Sequence, residues 1–509
     1  MSWLRSARMA EGAVVDVEIA DGRISQVVPA SGSVSVSAHD ADLTGYVLLP
    51  SFVEPHAHLD KALLAARAPN RTGDLHGAIA ATRAVGDTMT GEDIIRRAER
   101  AIKIQLAFGT TAIRTHVNVG GFMGMRALEA LVEVRERWRG VVDLQIVALP
   151  AAPFDARGGK DLRQALKEGA DIAGGAPHVD PQPDRAVRMC LEAAGDAGVP
   201  VDLHADETLN PNMLTLATMA DLVSETRFPY PVTASHCVSL AVQSAAVQQS
   251  VSEQVAEAGI TVVVLPQTNL YLQGRDLPVA TPRGLTALRA LRAAGVTVAA
   301  GGDNLRDPFH PVGRGDALEV AALMVTAGHL EPAEAIKSVT DAPRQVLGLP
   351  WARIAPGSVA DLVAVRAEDA LEALGAASAE RIVWKSGRIA ARTTVCSSFC
   401  PSVTEVDSGS LGLHPVAAGA TARTPRAVAG GGHHTSHSCA LCLRSLYRPF
   451  CPIRTTRSHT ERTAGNGVTA APDSAIVTIT RCAPEPKWNR HSQLLLVQCR
   501  LPSVSQDHR

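Results

Sequence analysis

Residues 47–60 read VLLPSFVEPHAHLD. An apolar run of strand length ends in two histidines spaced i, i+2. In an extended chain, residues two apart project from the same face. His56 and His58 therefore leave the end of this strand together, and two imidazoles on one face can share a metal ion. Two structural histidines would look the same in isolation, so the pair has to be judged by what the rest of the chain does at its other strand ends.

Downstream the same rhythm recurs. Short apolar segments at 111–118, 142–149, 169–175, 200–205, 231–235, 261–266 and 297–301 follow the first at 47–53. Between them lie Ala-, Leu-, Glu- and Arg-rich stretches of helical spacing, such as GEDIIRRAERAIKIQLAFG (91–109) and RALEALVEVRERWRG (126–140). Near-continuous apolar strands alternating with helices call for a parallel sheet. Eight such units over 50–345 call for a (β/α)8 TIM barrel, whose functional residues sit at the C-terminal ends of its strands. The rival, an open doubly wound sheet, lacks its GxGxxG turn.

Upstream, in 1–49, AVVDVEIA (13–20) and ISQVVPA (24–30) flank Asp21-Gly22, a hairpin signal. Strand character returns in 346–395, with SVADLVAVR (358–366) and RIVWKSGRIAA (381–391) around a Ser386-Gly387 turn. Both ends of the chain are expected to join in one small β-sandwich domain beside the barrel. Residues 396–509 change composition to Ser, Thr, Arg, Pro, Gly and His and turn net basic. That segment is expected to be a disordered or aberrant tail. Its His433, His434, His437, Cys439 and Cys442 include a CxxC, but no second pair stands at finger spacing, so the cluster is not read as a zinc site.

The net charge of −2 gives no electrostatic reason to bind nucleic acid or an anionic membrane. No apolar run approaches the ~20 residues of a spanning helix, and the N-terminus lacks a signal-peptide core. Only Cys190 and Cys237 of the nine cysteines precede residue 396, which suits a reducing compartment. A cytoplasmic location is the expectation. With aromatics at 3%, the core must be built from Ala, Val, Leu and Ile.

Three further strand ends carry chemistry. His204-Ala205-Asp206-Glu207 closes the fifth strand and offers a third imidazole, with a carboxyl where the chain turns. A carboxyl placed over a metal without binding it suits proton transfer. Alone, the segment reads as well as a helix-capping turn. Ser235-His236-Cys237 closes the sixth strand and Gly301-Gly302-Asp303-Asn304 the eighth. A lone His or Asp is commonly structural, but one ring of strand ends holding His/His, His/Glu, His and Asp in order is not a chance arrangement.

This set resembles the amidohydrolase superfamily, and more closely cytosine deaminase and its relatives. The resemblance runs through FVEPHAHLDK, FGTTAIRTHVNV, VDLQIVALP, DLHADE, VTASHC, LQGR (272–275) and GGDNLRDPFHPVG, over roughly 1–395. It implies one divalent ion, Fe or Zn, on His56, His58, His204 and Asp303. It also implies Glu207 as proton shuttle, and His236 with Asp303 handling the hydrolytic water. Strand four, GADIAGGAPH, lacks the lysine of binuclear relatives, so a mononuclear site is expected. Gln145, Ala151 and Asn304 are the expected substrate-contact positions.

Departures bear on specificity. Ala151 stands where cytosine deaminases carry a glutamine that reads the pyrimidine's amide edge, and losing such a group weakens polar discrimination. Asn304 stands where an aspartate is usual, and Lys61 follows HLD where the bacterial cytosine enzymes differ. The implied function is hydrolytic deamination of a cytosine-like amino-heterocycle with release of ammonia. Opening of a cyclic amide or amidine at the same site is the nearest alternative, and a non-catalytic binding protein on this fold is the alternative of another class. A small heterocycle is the expected partner, and homo-oligomerisation is left open by the sequence.

Overall fold

In a computed structural model the described residues are 1–30, 40–151 and 154–397. The expectations for the tail, including its His433 to Cys442 cluster, lie outside the described residues beyond 397.

The chain opens with β1 (Ser2–Arg8), β2 (Val14–Ala20), β3 (Arg23–Pro29), β4 (Ala41–Asp42) and β5 (Tyr46–Pro50). It continues with β6 (Phe52–Ala57), β7 (Thr110–Val119), β8 (Asp143–Pro150), β9 (Ile172–Gly175), β10 (Val201–Ala205), β11 (Val232–His236), β12 (Thr261–Val264) and β13 (Val298–Ala300). It returns with β14 (Leu362–Arg366), β15 (Arg381–Lys385) and β16 (Arg388–Thr393). Strands β6 to β13 form one parallel eight-stranded sheet, each bonded to the next in chain order. Its edges meet through a parallel bridge between Ala57 and Asp303. The Glu54 carboxylate seals the same seam, accepting from the Gly302 N–H at 2.8 Å and the His56 N–H at 3.1 Å. The (β/α)8 barrel is thus present.

Helices follow the strands and turn their apolar stripes inward. Gly91–Ala107 starts at Thr90, whose hydroxyl accepts from the Asp93 N–H, and it buries Ile94, Ala98, Ala101, Ile102 and Leu106 on one face. Asp74, Asp155 and Asp316 cap other helices in the same way. The main core is almost wholly aliphatic, as the shortage of aromatics requires.

The two ends of the chain share a second sheet, ordered β16-β15-β14-β5-β1-β2-β3, with β4 on β1. The β2–β3 hairpin turns back onto the segment before β14, where the Ile24 N–H donates to Ser358 and the Ala360 N–H to Gly22. The bent sheet encloses its own core of Leu4, Val17, Ile19, Leu48, Leu362 and Trp384. One strand differs from the sequence reading. The run 47–53 is two strands, because the chain changes sheets at Ser51. Its N–H goes to the Asp361 carbonyl, whereas that of Phe52 goes to Gly109 in the barrel. Both pieces are apolar, so patterning could not separate them. Among the described residues no helix is long and apolar enough to cross a membrane.

Arg381 fastens the small sheet to the barrel. It is fully buried and bonds both Asp316 oxygens at 2.9 and 2.7 Å and the Phe108 carbonyl at 2.7 Å. Removing one partner of a buried pair leaves the other charge uncompensated. Arg381→Met should therefore cost about 3–5 kcal/mol of unfolding free energy by denaturant titration; a loss below ~1 kcal/mol would show that the pair does not hold the two sheets together.

Candidate metal centre

Four side chains meet on the barrel axis at the C-terminal strand ends. The Nε2 atoms of His56 and His204 lie 3.1 Å apart, and those of His204 and His58 lie 3.2 Å apart. Asp303 Oδ1 lies 3.3 Å from His58 Nε2 and 3.8 Å from His56 Nε2. All four residues are buried. The backbone is bent to aim them: Asp206, His236, Cys237 and Asp303 have φ of 52°, 72°, 52° and 60°. Non-glycine residues adopt this left-handed region at a cost of about 1–3 kcal/mol each, and such strain concentrates at functional sites.

The hydrogen bonds around the ligands fix which ring nitrogen is free. The Ser235 hydroxyl donates to Asp202 Oδ1 at 3.1 Å, so it accepts from His56 Nδ1–H at 2.9 Å. Arg114 holds Asp202 from behind at 2.8 Å. His58 Nδ1 has the His116 carbonyl at 3.2 Å and Lys61 Nζ at 2.9 Å; the tautomer that donates from Nδ1 to the carbonyl is the one that frees Nε2. Both tautomers leave Nε2 with a lone pair turned to the cluster. Burial, together with the neighbouring imidazoles, pushes His56 and His204 well below the usual histidine range, so these rings are neutral. Neutral imidazoles and a carboxylate crowded this closely face one another with lone pairs, and Asp303 Oδ1 has no hydrogen-bond partner. Two triads of donor atoms lie close enough to share an ion, His56 with His58 and Asp303, and His56 with His204 and His116; a divalent cation would satisfy their lone pairs.

His236 is placed differently. The Asn269 amide donates to its Nδ1 at 3.1 Å, which leaves Nε2–H facing Asp303 Oδ2 at 4.0 Å. It is therefore a donor beside the cluster rather than a fifth ligand. Glu207 stands over the same space, 3.7 Å from His236 Nδ1 and 3.7 Å from His178 Nε2. Burial pushes its carboxyl up to about 8, although Lys61 pulls the other way. Asp206 does what a capping residue would. It accepts from the N–H groups of Thr215 and Leu216, and this turns the chain so that Glu207 points inward. Within the HADE segment the capping bonds belong to Asp206, while the Glu207 carboxyl faces the cavity.

A cavity of about 430 Å³ opens onto these groups. Ala151 and Asn304 line it, together with Lys61, Asn118, Phe122 and Phe309. Asn304 is committed to the protein, donating to Asp307 at 2.8 Å and accepting from Thr268 at 3.1 Å. Gln145 is a correction. It lies near the start of β8, far below the strand end, and its amide joins Arg114 at 3.0 Å and the Leu347 carbonyl at 2.8 Å. It supports the barrel floor and does not line the cavity.

The sequence reading missed three residues. His116 stacks on His56 with ring centroids 3.9 Å apart and planes 27° apart, and both its ring nitrogens lack partners. His116 thus backs His56, and its ring nitrogens lie close enough to those of His56 and His204 to form a second group of convergent donors. Its signal was strand alternation, which puts residues 114, 116 and 118 on the interior face. His178 sits on a short 3-10 turn (Pro177–Val179), and its Nδ1 donates to the His204 carbonyl. Glu54, pushed up to about 7 by burial, is the third.

Residues 84–391 match the Amidohydrolase family. The chain is 36% identical over 386 residues to a pterin deaminase from Rhizobium rhizogenes, covering 74% of this chain and 88% of that one. It resembles the crystal structure of 5-methylcytosine deaminase from Klebsiella pneumoniae liganded with 5-fluorocytosine. That likeness has a TM-score of 0.73 and 28% identity, over 78% of this chain and 99% of the other. The N-isopropylammelide isopropylaminohydrolase of Burkholderia multivorans gives a TM-score of 0.66 and 30% identity, over 77% and 98%.

Proposed function

Because the chain belongs to the amidohydrolase family, we propose that it hydrolyses an exocyclic amino group from an aminopyrimidine ring, with release of ammonia. One divalent ion, iron or zinc, would be held by His56, His58, His204 and Asp303. The observation that carries the deaminase reading is Glu207, a buried carboxyl that keeps its proton near neutrality beside the convergent donors of His56, His58 and Asp303 and an open cavity.

When bound, the metal supplies the Lewis acidity that makes water a nucleophile at neutral pH. The chain's own groups do the rest. Glu207 holds a proton at its carboxyl and hands it to the ring nitrogen next to the amino-bearing carbon as oxygen adds there. Asp303 Oδ2 takes the proton that water gives up, and the His236 Nε2–H faces that oxygen at 4.0 Å. The C–N bond then breaks, the nitrogen leaves as ammonia with that proton, and the adduct's hydroxyl becomes a carbonyl as its own proton restores the Glu207 carboxyl to its acid form. Phe122 and Phe309 wall the space and exclude bulk water.

Ala151 in place of a longer amide side chain enlarges the cavity, which favours a fused bicyclic ring such as a pterin over a single ring. The similarity to a pterin deaminase supports the same choice. Ammonia release should be measured with pterin, isocytosine, cytosine and an aminotriazine. A higher kcat/KM for pterin than for cytosine is expected, and the reverse would overturn the fused-ring assignment. No ammonia from any of them with metal bound would overturn deamination in favour of ring opening.

The pH profile follows from Glu207. The form that carries the proton is the active one, and it is populated below about pH 8. The rate should hold steady through neutrality and fall about tenfold per pH unit above that point. A profile still rising at pH 9 would remove Glu207 as the acid.

A further inference from the structure

Lys61 is a buried cation without an adequate partner. Only 4% exposed, it lies just beyond β6 and lines the cavity. Its Nζ is 2.9 Å from His58 Nδ1, 3.8 Å from Asp60 Oδ1 and 5.4 Å from the Phe309 ring centroid. His58 Nδ1 must carry a proton toward the His116 carbonyl if Nε2 is to face the cluster, and a protonated nitrogen cannot accept from an ammonium. The carboxyls of Glu207, Asp303 and Asp307 also feel its charge, but the nearest contacts left to its N–H donors are the Asp60 oxygen, beyond hydrogen-bond length, and the Phe309 face. A buried ammonium with unused N–H donors is costly unless another acceptor arrives.

The neighbouring wall has the complementary defect. The other Asp60 oxygen accepts from the backbone N–H of Asn118 at 3.1 Å, which places Asn118 across the same carboxylate from Lys61. Asn118 also lines the cavity, and its side-chain Oδ1 is buried without a hydrogen-bond partner. An unused donor and an unused acceptor therefore flank one carboxylate at the cavity wall. We propose that Lys61 and Asn118 form a lactam-reading pair: Lys61 donates to a ring carbonyl oxygen, and Asn118 Oδ1 accepts from the adjacent ring N–H. This pair takes over the amide-edge recognition that Ala151 cannot perform. It narrows the substrate class to amino-heterocycles with an oxo group beside a ring N–H. The identity of the ring rests on the deaminase reading; the pair itself rests on the unpartnered groups.

The test compares pterin with 2-aminopteridine, which lacks the oxo group, on metal-loaded wild type, Lys61→Met and Asn118→Leu. Calorimetric binding of lumazine, the oxo product of pterin deamination, is measured beside turnover. Lys61→Met should raise KM for pterin and Kd for lumazine by about 10–100-fold, because a charged hydrogen bond is lost, with a smaller change in kcat. KM for 2-aminopteridine should stay within about twofold, so the preference for the oxo compound collapses. Asn118→Leu should repeat the pattern at about 10-fold from a residue that touches no metal ligand. Equal changes for both pteridines, or unchanged lumazine binding in both variants, would overturn the pair. Absence of turnover in wild type with lumazine binding still weakened by Lys61→Met would keep the pair and overturn the deaminase reading.

Discussion

Glu207→Gln should leave metal content and thermal unfolding unchanged and lower kcat by about 10³-fold. Positioned proton transfer contributes about 10²–10⁴-fold to such reactions, and glutamine keeps the shape of the side chain while removing its proton. The two histidines flanking Glu207 cannot substitute as acids. His178 and His236, each 3.7 Å from Glu207, are pushed down by burial and are neutral at working pH. KM for the substrate should change little, because the lost interaction is made as the proton moves. Stopped assays of ammonia release with metal analysis on the same sample decide it. A kcat within tenfold of wild type would assign the proton to another group.

His56→Ala should abolish stoichiometric metal binding and activity together. His56 is the ligand most tightly built into the barrel, with Ser235, Asp202 and Arg114 in a line behind it and His116 stacked on its face. Metal that binds the folded state alone stabilises it by about 4 kcal/mol at a thousand times its Kd. Chelation of wild type should therefore lower Tm by several degrees, and chelation of His56→Ala should do nothing further. Retention of one ion per chain by His56→Ala would show that another set of donors holds it. His116 would be the first to test, since it forms a second convergent group with His56 and His204.

The strand ends were legible because two signals coincided there, apolar runs of strand length and chemistry-bearing residues at their C-terminal limits. His56, His58, His204, His236, Glu207 and Asp303 all come together as the spacing implied. What was not legible depended on contacts rather than spacing. Glu54 acts through Gly302, 248 positions away, and no local pattern announces that. His178 occupies a turn with no strand period. Gln145, expected at the substrate, lies instead in a lower layer, bonded to Arg114 and the Leu347 carbonyl, because a strand's sequence does not give depth along the barrel. The passage from β5 to β6 at Ser51 was hidden because both strands are buried on each side.

The seam between β6 and β13 has a consequence in time. Its clasp and the ligand set use the same residues: Glu54 holds the backbone of His56 and of Gly302, and Asp303 bridges Ala57. A growing chain presents His56 and His58 early and Asp303 only after seven further strands have been made. The full set of donors cannot exist until the barrel ring is complete. If the proposed donors hold the ion, metal loading is a late event in the birth of this protein, and an ion captured at the seam would lock together the first and last strands of the barrel.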